Sequence, residues 1–213
     1  MMGIVARSAA FAEGREPAPD DVVARGETAA EKFLLRWRGE ANPDHVKAID
    51  TYWICTAEHG LNASTFTARC GRLDRQPTAV RRCQRPSAAL SGPLHGGAPA
   101  RVLPMLDEVA KTGDPEGYVR NILEQHGRIM GFGHRVYRAE DPRSRILKRT
   151  AQEVGSPRIE VAEALEEAAL AELHKRKPDY VIATNVEFYS AVLLDAADVP
   201  PELTPGDVLP ARA

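Results

Sequence analysis

The chain has 213 residues, 43% hydrophobic and 27% charged, which is enough for one large domain or two small ones with a buried core. Its 28 basic residues nearly balance its 30 acidic ones, so we expect no attraction to nucleic acid or to an anionic membrane. No apolar run approaches the roughly 20 residues that span a bilayer. The three cysteines form no C-x-x-C pair, which argues against disulfides and a cysteine zinc site and favours a reducing, cytoplasmic setting.

The first part of the chain predicts a loose arm followed by helices. Residues 1–20 contain few large apolar groups and are interrupted by prolines, which is typical of an arm. Apolar residues then recur with helical spacing over residues 21–38, and Gly39 would end that helix. The sequence Asn42-Pro43-Asp44 begins another helix, because proline is tolerated in a first turn.

The segment 70–87 has no helical or strand period. Residues 70–86 hold five arginines, two prolines and two of the three cysteines. We interpret the segment as a loop or a disordered connector. A nucleic-acid-binding patch is the alternative, but no aromatic residue is interleaved to stack on bases.

Helix signals are strong after residue 99. The sequence predicts four helices there, each with apolar residues on one face, and a last helix over 186–197. Three of the starts carry proline in the first turn, at Asp114-Pro115, Asp141-Pro142 and Ser156-Pro157. Only residues 180–183 are strand-like, and that run is short and ambiguous. The predicted fold class is therefore all-α.

Three histidines lie in breaks between these helices, each close to glycine: His59, His95 and His134. Imidazole carries protons near neutral pH, and glycine lets the backbone approach a ligand. Each histidine alone is also compatible with a structural role. We set a zinc site aside, because there is no H-E-x-x-H and no pair of histidines one helical turn apart. Arg143 lies in a first turn, where the helix dipole disfavours a cation; it is either an ordinary surface arginine or a residue that binds a carboxylate.

Four stretches resemble motifs of the citrate synthase family, in the family's order: 59–69, 90–98, 131–143 and 185–189. The resemblance implies an all-α homodimer that condenses acetyl-CoA or propionyl-CoA with oxaloacetate, giving citrate or 2-methylcitrate, with no cofactor. It also implies the following division: a partial large domain at 21–89, a small CoA-side domain at 90–190, and the start of a further large-domain part at 191–213.

The resemblance assigns three catalytic residues. His95 would stabilise the enol of the thioester, and His134 would polarise the oxaloacetate ketone. Glu187 stands where the family usually has aspartate, the base that removes the methyl proton. Because a thioester α-proton is a very weak acid, such a base needs a donor aimed at the developing enolate oxygen. We therefore expect these three groups to meet in one pocket.

The resemblance also assigns binding residues. His59 and Arg143 would bind oxaloacetate, and Arg138 would meet the CoA phosphates. Residues 70–87 depart from the family pattern between matching flanks, which suggests an out-of-frame reading of a GC-rich gene. The resemblance ends near Pro205, so we expect a shortened chain that lacks further family arginines. The alternatives are a non-catalytic remnant or interaction module of the same fold, and a citryl-CoA lyase.

Overall fold

The computed structural model describes residues 2–57, 101–133 and 139–203. Its helices over these ranges are α1 (Met2–Ala12), α2 (Asp20–Val23), α3 (Ala29–Arg38), α4 (Pro43–Thr56), α5 (Val102–Thr112), α6 (Pro115–Glu124), α7 (Pro142–Glu153), α8 (Ile159–Arg176) and α9 (Val186–Ala196), with a 3₁₀ turn at Pro201–Leu203. The described part of the chain contains no strand beyond one isolated bridge, so the all-α prediction is confirmed.

Three of the four predicted helix starts at proline are confirmed, and the fourth, at Ser156-Pro157, is wrong by two residues. Asn42, Asp114 and Asp141 each accept a hydrogen bond from a backbone N–H in the first turn of α4, α6 and α7. Proline occupies the next position in each case, where its missing N–H costs nothing. Helix α8 begins at Ile159, two residues beyond the predicted Ser156-Pro157 start.

The amino-terminal region differs from its prediction. Residues 2–12 form α1 instead of a loose arm, and Ala6, Ala9 and Ala10 are fully buried where α1 packs on α3. Alanine has the highest helix propensity and lets two helices approach closely, so this face needs no large apolar side chains. The single helix predicted over 21–38 is divided in two, because a capping box at Thr28 starts α3 afresh.

Helix α9 lies at the centre of the core. Its residues from Phe188 to Leu194 are all buried, and α4, α5 and α7 pack around it. A helix that is apolar on every face is stable only when surrounded in this way. No helix in the described ranges is both long and apolar enough to cross a membrane.

Two predictions stay untested at this level. Residues 70–87, predicted as a connector, lie outside the described residues. The predicted domain boundaries at residues 90 and 190 also stay predictions. The strand-like run over 180–183 forms no strand; only Thr184 just after it pairs, in an isolated bridge with Phe132.

Candidate active site

Glu187 lies in the first turn of the central helix α9, partly buried. Burial raises the pKa of its carboxyl group to about 7, and the nearby Arg143 guanidinium opposes this shift only in part. The positive end of the helix dipole favours the carboxylate form at this position. A general base works best when its pKa lies near the working pH, so Glu187 is suited to accept a proton at neutral pH.

Asn185 connects the start of α9 to the loop that precedes His134. Its Oδ1 accepts the backbone N–H of Glu187 at 3.0 Å, and its Nδ2 donates to the carbonyl oxygen of Gly133 at 2.9 Å. The Asn185 backbone N–H donates to the carbonyl oxygen of Gly131, also at 2.9 Å. The Gly133 carbonyl belongs to the peptide bond that leads into His134. One side chain therefore holds the attachment point of that histidine beside the helix that carries Glu187.

The loop 131–133 makes further contacts to residues 183–184, just before α9, and to the first turn of α9. The backbone N–H of Gly133 donates to the carbonyl oxygen of Ala183 at 2.8 Å, and Phe132 pairs with Thr184 in the antiparallel bridge. The ring of Phe132 packs on that of Phe188, with centroids 5.1 Å apart. Two neighbouring chain segments thus share one set of backbone and ring contacts at the amino end of α9.

Arg143 is held by the acid that caps its own helix. Its Nε and Nη2 donate to the two carboxylate oxygens of Asp141 at 3.0 and 2.7 Å. Its backbone N–H also donates to Oδ1 of Asp141, at 3.0 Å. Asp141 is 1% exposed, so this pair is shielded from water. The bidentate contact fixes the plane of the guanidinium. Cys55 of α4 lies close by, and burial raises the pKa of its thiol.

Comparison with known proteins identifies the family. The family model "Citrate synthase, C-terminal domain" matches residues 1–212. The chain belongs to the citrate synthase family. "Putative citrate synthase 2" of Mycobacterium tuberculosis is 53% identical over 187 residues, which cover 88% of this chain and 50% of that protein. The chain thus spans about half the length of these curated relatives.

Solved citrate synthases share the fold. The crystal structure from Thermotoga maritima superposes with a TM-score of 0.85 at 31% identity, covering 99% of this chain and 57% of the other. The Thermoplasma acidophilum enzyme, in a ternary complex with carboxymethyl coenzyme A and oxaloacetate, gives a TM-score of 0.83 at 25% identity, covering 99% and 56%.

Two of the predicted site residues are described by the structure, and they belong to one neighbourhood. Glu187 and Arg143 lie close enough for the cation to act on the carboxyl group electrostatically. The others, His59, His95, His134 and Arg138, lie outside the described residues. Their roles in this citrate synthase family member stay predictions. Within the described ranges, no group of three or more His, Cys, Asp or Glu side chains is arranged to hold a metal ion.

Two residues of the site went unassigned at the level of sequence. The sequence marks Asp141 as a helix start and as part of a family motif, but it does not show that the buried carboxylate orients Arg143. Asn185 was part of a recognised motif without a role of its own, and asparagine just before a helix is an ordinary capping signal. Its second contact, to Gly133, joins residues 52 positions apart and leaves no local pattern.

Changing Asn185 to Ser should separate its two contacts. Serine keeps an oxygen able to cap α9 but lacks the amide that donates to Gly133. We expect a loss of about 1–3 kcal/mol in the free energy of unfolding, because the Gly133 carbonyl loses its partner. Urea denaturation measures this. Asn121→Ser, which breaks only an exposed side-chain contact to Gln125, is the control, and equal losses in the two variants would contradict the assignment.

Proposed function

We propose that this chain carries a citrate-synthase-type acyltransferase site, which condenses acetyl-CoA or propionyl-CoA with oxaloacetate to give citrate or 2-methylcitrate. The observation that carries the proposal is the raised pKa of Glu187 and its position at the start of α9. Its carboxyl group has a pKa of about 7, and its helix is joined through Asn185 to the residue that precedes His134. A base poised at neutral pH beside a histidine loop suits proton removal next to a carbonyl.

The proposed reaction begins with Glu187 taking a proton from the α-carbon of the thioester. His95 donates a hydrogen bond to the thioester oxygen, which stabilises the enol that forms. The enol carbon attacks the ketone carbon of oxaloacetate, while His134 polarises that ketone and protonates the new alkoxide. Water then cleaves the thioester and releases the CoA thiol. The roles of both histidines come from the family resemblance.

In this proposal Arg143 binds a carboxylate of oxaloacetate, together with His59. A guanidinium fork matches a carboxylate in geometry and charge. The bidentate contact to Asp141 supports this role, since it holds the guanidinium in one orientation before substrate arrives. Arg138 would meet the CoA phosphates. The Thermoplasma acidophilum relative, solved with a CoA derivative and oxaloacetate, supports the choice of substrates.

The assembly and setting belong to the same proposal. We propose a homodimer, which light scattering on the purified chain would test, and a cytoplasmic location with small molecules as the ligands. A mass equal to that of one chain at micromolar concentration would contradict the dimer. The rival hypothesis is a non-catalytic remnant of the same fold.

A thiol-release assay tests the proposed function. The purified 213-residue chain is mixed with oxaloacetate and either acetyl-CoA or propionyl-CoA, and free CoA is measured with a thiol reagent. We expect release that requires both substrates and is lost in His95→Ala. The faster acyl-CoA identifies the preferred substrate. Release no greater than that without oxaloacetate, from a chain with a helical circular dichroism spectrum, would favour the remnant.

Replacing Arg143 by Lys should weaken oxaloacetate binding. Lysine keeps the positive charge beside Asp141 but cannot form the planar two-point contact. We expect the KM for oxaloacetate to rise about 10- to 100-fold, as expected when a charge-assisted contact worth roughly 1.5–3 kcal/mol is lost. Arg145→Lys, on the exposed side of the same helix, is the control. An unchanged KM in Arg143→Lys would remove Arg143 from the binding site.

A further inference from the structure

One carboxylate outside the proposed reaction joins three elements of the site region. Glu166 of α8 accepts hydrogen bonds from Thr184 Oγ1 at 2.5 Å, from Tyr189 Oη at 2.6 Å and from Lys148 Nζ at 2.8 Å. Lys148 belongs to α7, Thr184 to the segment before α9, and Tyr189 to α9 itself. Thr184 is 5% exposed and Tyr189 is fully buried, so two of the three donors belong to residues of the buried interior.

Hydrogen bonds and ion pairs within this cluster determine the charges of Glu166 and Lys148. Burial would raise the pKa of Glu166, but the hydrogen bonds from its three donors outweigh burial and hold that pKa below its usual value. Burial would likewise lower the pKa of Lys148, but Glu166 and Glu163 raise it above its usual value. Glu166 and Lys148 therefore form an ionised pair at neutral pH. A charged acceptor makes stronger hydrogen bonds to the two hydroxyl groups than a neutral one would.

We propose that Glu166 is a positioning residue for the candidate site, which holds both the segment before α9 and α9 itself against α8. The inference rests on the proposed function. Thr184 is the anchor point, because it pairs with Phe132 in the bridge and directly precedes Asn185. Tyr189 is the second anchor, two residues beyond Glu187 on α9. Through these two hydroxyl groups Glu166 fixes the base and the loop before His134 in one mutual arrangement.

The location of the contacts distinguishes positioning from general packing. Neither hydroxyl group lies among the groups of the proposed reaction, so losing one deletes no catalytic atom. It frees the bridge segment from α8, however, and Asn185 transmits that freedom to both Gly133 and Glu187. A displacement of about 1 Å between reacting groups can cost about 100-fold in rate. The effect should therefore fall on kcat more than on KM.

Variants of Thr184 make the first test. Thr184→Val keeps the shape and removes the hydroxyl, and Thr184→Ser keeps the hydroxyl. We expect kcat to fall at least about 10-fold in the valine variant and less than about 3-fold in the serine variant, with KM for oxaloacetate within about 3-fold in both. Tyr189→Phe removes the second hydroxyl and should also lower kcat. Rescue by serine is the result that a loss of packing alone would not produce.

Glu163→Gln is the matched control. Glu163 lies one turn before Glu166 on α8 and pairs with the same Lys148 at 3.4 Å, yet none of its hydrogen bonds reaches Thr184 or Tyr189. This variant removes a carboxylate that also pairs with Lys148 but leaves both hydroxyl contacts of Glu166 in place, so we expect kcat to stay within about 2-fold of the parent. A kcat in Thr184→Val and Tyr189→Phe equal to that of the control would overturn the positioning role.

Hydrogen exchange gives a readout that does not depend on activity. The amides of Gly133 and Asn185 are bonded to Ala183 and Gly131 across the two segments. We expect both amides to exchange about 10-fold faster in Thr184→Val than in the parent, and no change in Glu163→Gln. If the parent chain releases no thiol, the proposed function fails, and exchange still decides the inference. Unchanged exchange in both Thr184→Val and Tyr189→Phe would overturn it.

Discussion

Replacing Glu187 by Gln is expected to lower the rate of thiol release by about 10²–10⁴-fold. The amide has nearly the shape of the carboxyl group but cannot accept the methyl proton. Burial raises the pKa of Glu187 to about 7, so the parent rate should increase with pH as the carboxylate forms around that value. The assay measures kcat/KM for the acyl-CoA from pH 5.5 to 8.5, because that ratio reports the pKa of the free enzyme. An active Glu187→Gln variant would remove Glu187 from the reaction.

The same variant should be more stable than the parent at high pH. The folded state binds a proton at Glu187 more tightly than the unfolded state, where the pKa is near 4.5. The contribution of Glu187 to stability is therefore complete below about pH 4.5 and is lost as pH rises from there through about 7. The difference between the unfolded pKa of 4.5 and the folded pKa of about 7 corresponds to a loss of roughly 3 kcal/mol at most in the free energy of unfolding. Glu187→Gln lacks this loss, and urea denaturation at pH 5 and pH 8 measures it.

Two control variants sharpen this prediction. Glu187→Asp restores the residue usual in the family, so it should retain far more activity than the amide variant. Glu167→Gln removes an exposed carboxylate from α8 and should leave both the rate and its pH dependence unchanged. A stability profile in Glu187→Gln with the same slope as the parent would show that Glu187 is not the buried acid.

Replacing Gly131 by Ala should unfold the loop that leads to His134. Gly131 has φ = +89°, and a Cβ built there would lie 2.7 Å from Cβ and 2.8 Å from Cδ2 of Phe188. Phe188 is fully buried on the central helix and cannot move away. We expect a loss of at least about 3 kcal/mol in the free energy of unfolding, from overpacking added to left-handed strain. Thiol release should fall in parallel.

Gly155→Ala is the matched control for this substitution. Gly155 also has a positive φ, +67°, but a Cβ there would meet nothing within 4 Å. It therefore isolates the backbone strain, which costs roughly 1–2 kcal/mol. The difference between the two variants measures the contact with Phe188. Equal losses in both would mean that the loop 131–133 does not rest on α9.

Local sequence determined the starts of several helices and the family motifs of this protein. The Asn-Pro and Asp-Pro starts of α4, α6 and α7 were predicted because a capping oxygen and a proline act within one turn, whatever surrounds them. The four motifs in order predicted the family and pointed to Glu187 and Arg143. The missed helix α1 shows the limit of this reasoning. Its alanines carry no strong hydrophobic signal, and their burial depends on α3.

Only the tertiary structure decided how the site is held together. Asn185 meets Gly133 across 52 residues, and Glu166 meets Thr184 and Tyr189 across 18 and 23 residues. The acid strength of Glu187 depends likewise on burial and on Arg143, which lies on another helix. Hydrogen bonds and burial depend on distance in space, whereas propensity and capping depend on neighbours in the chain. The sequence could therefore name candidate residues, but only the fold sets the charge and arrangement of Glu187 and Arg143.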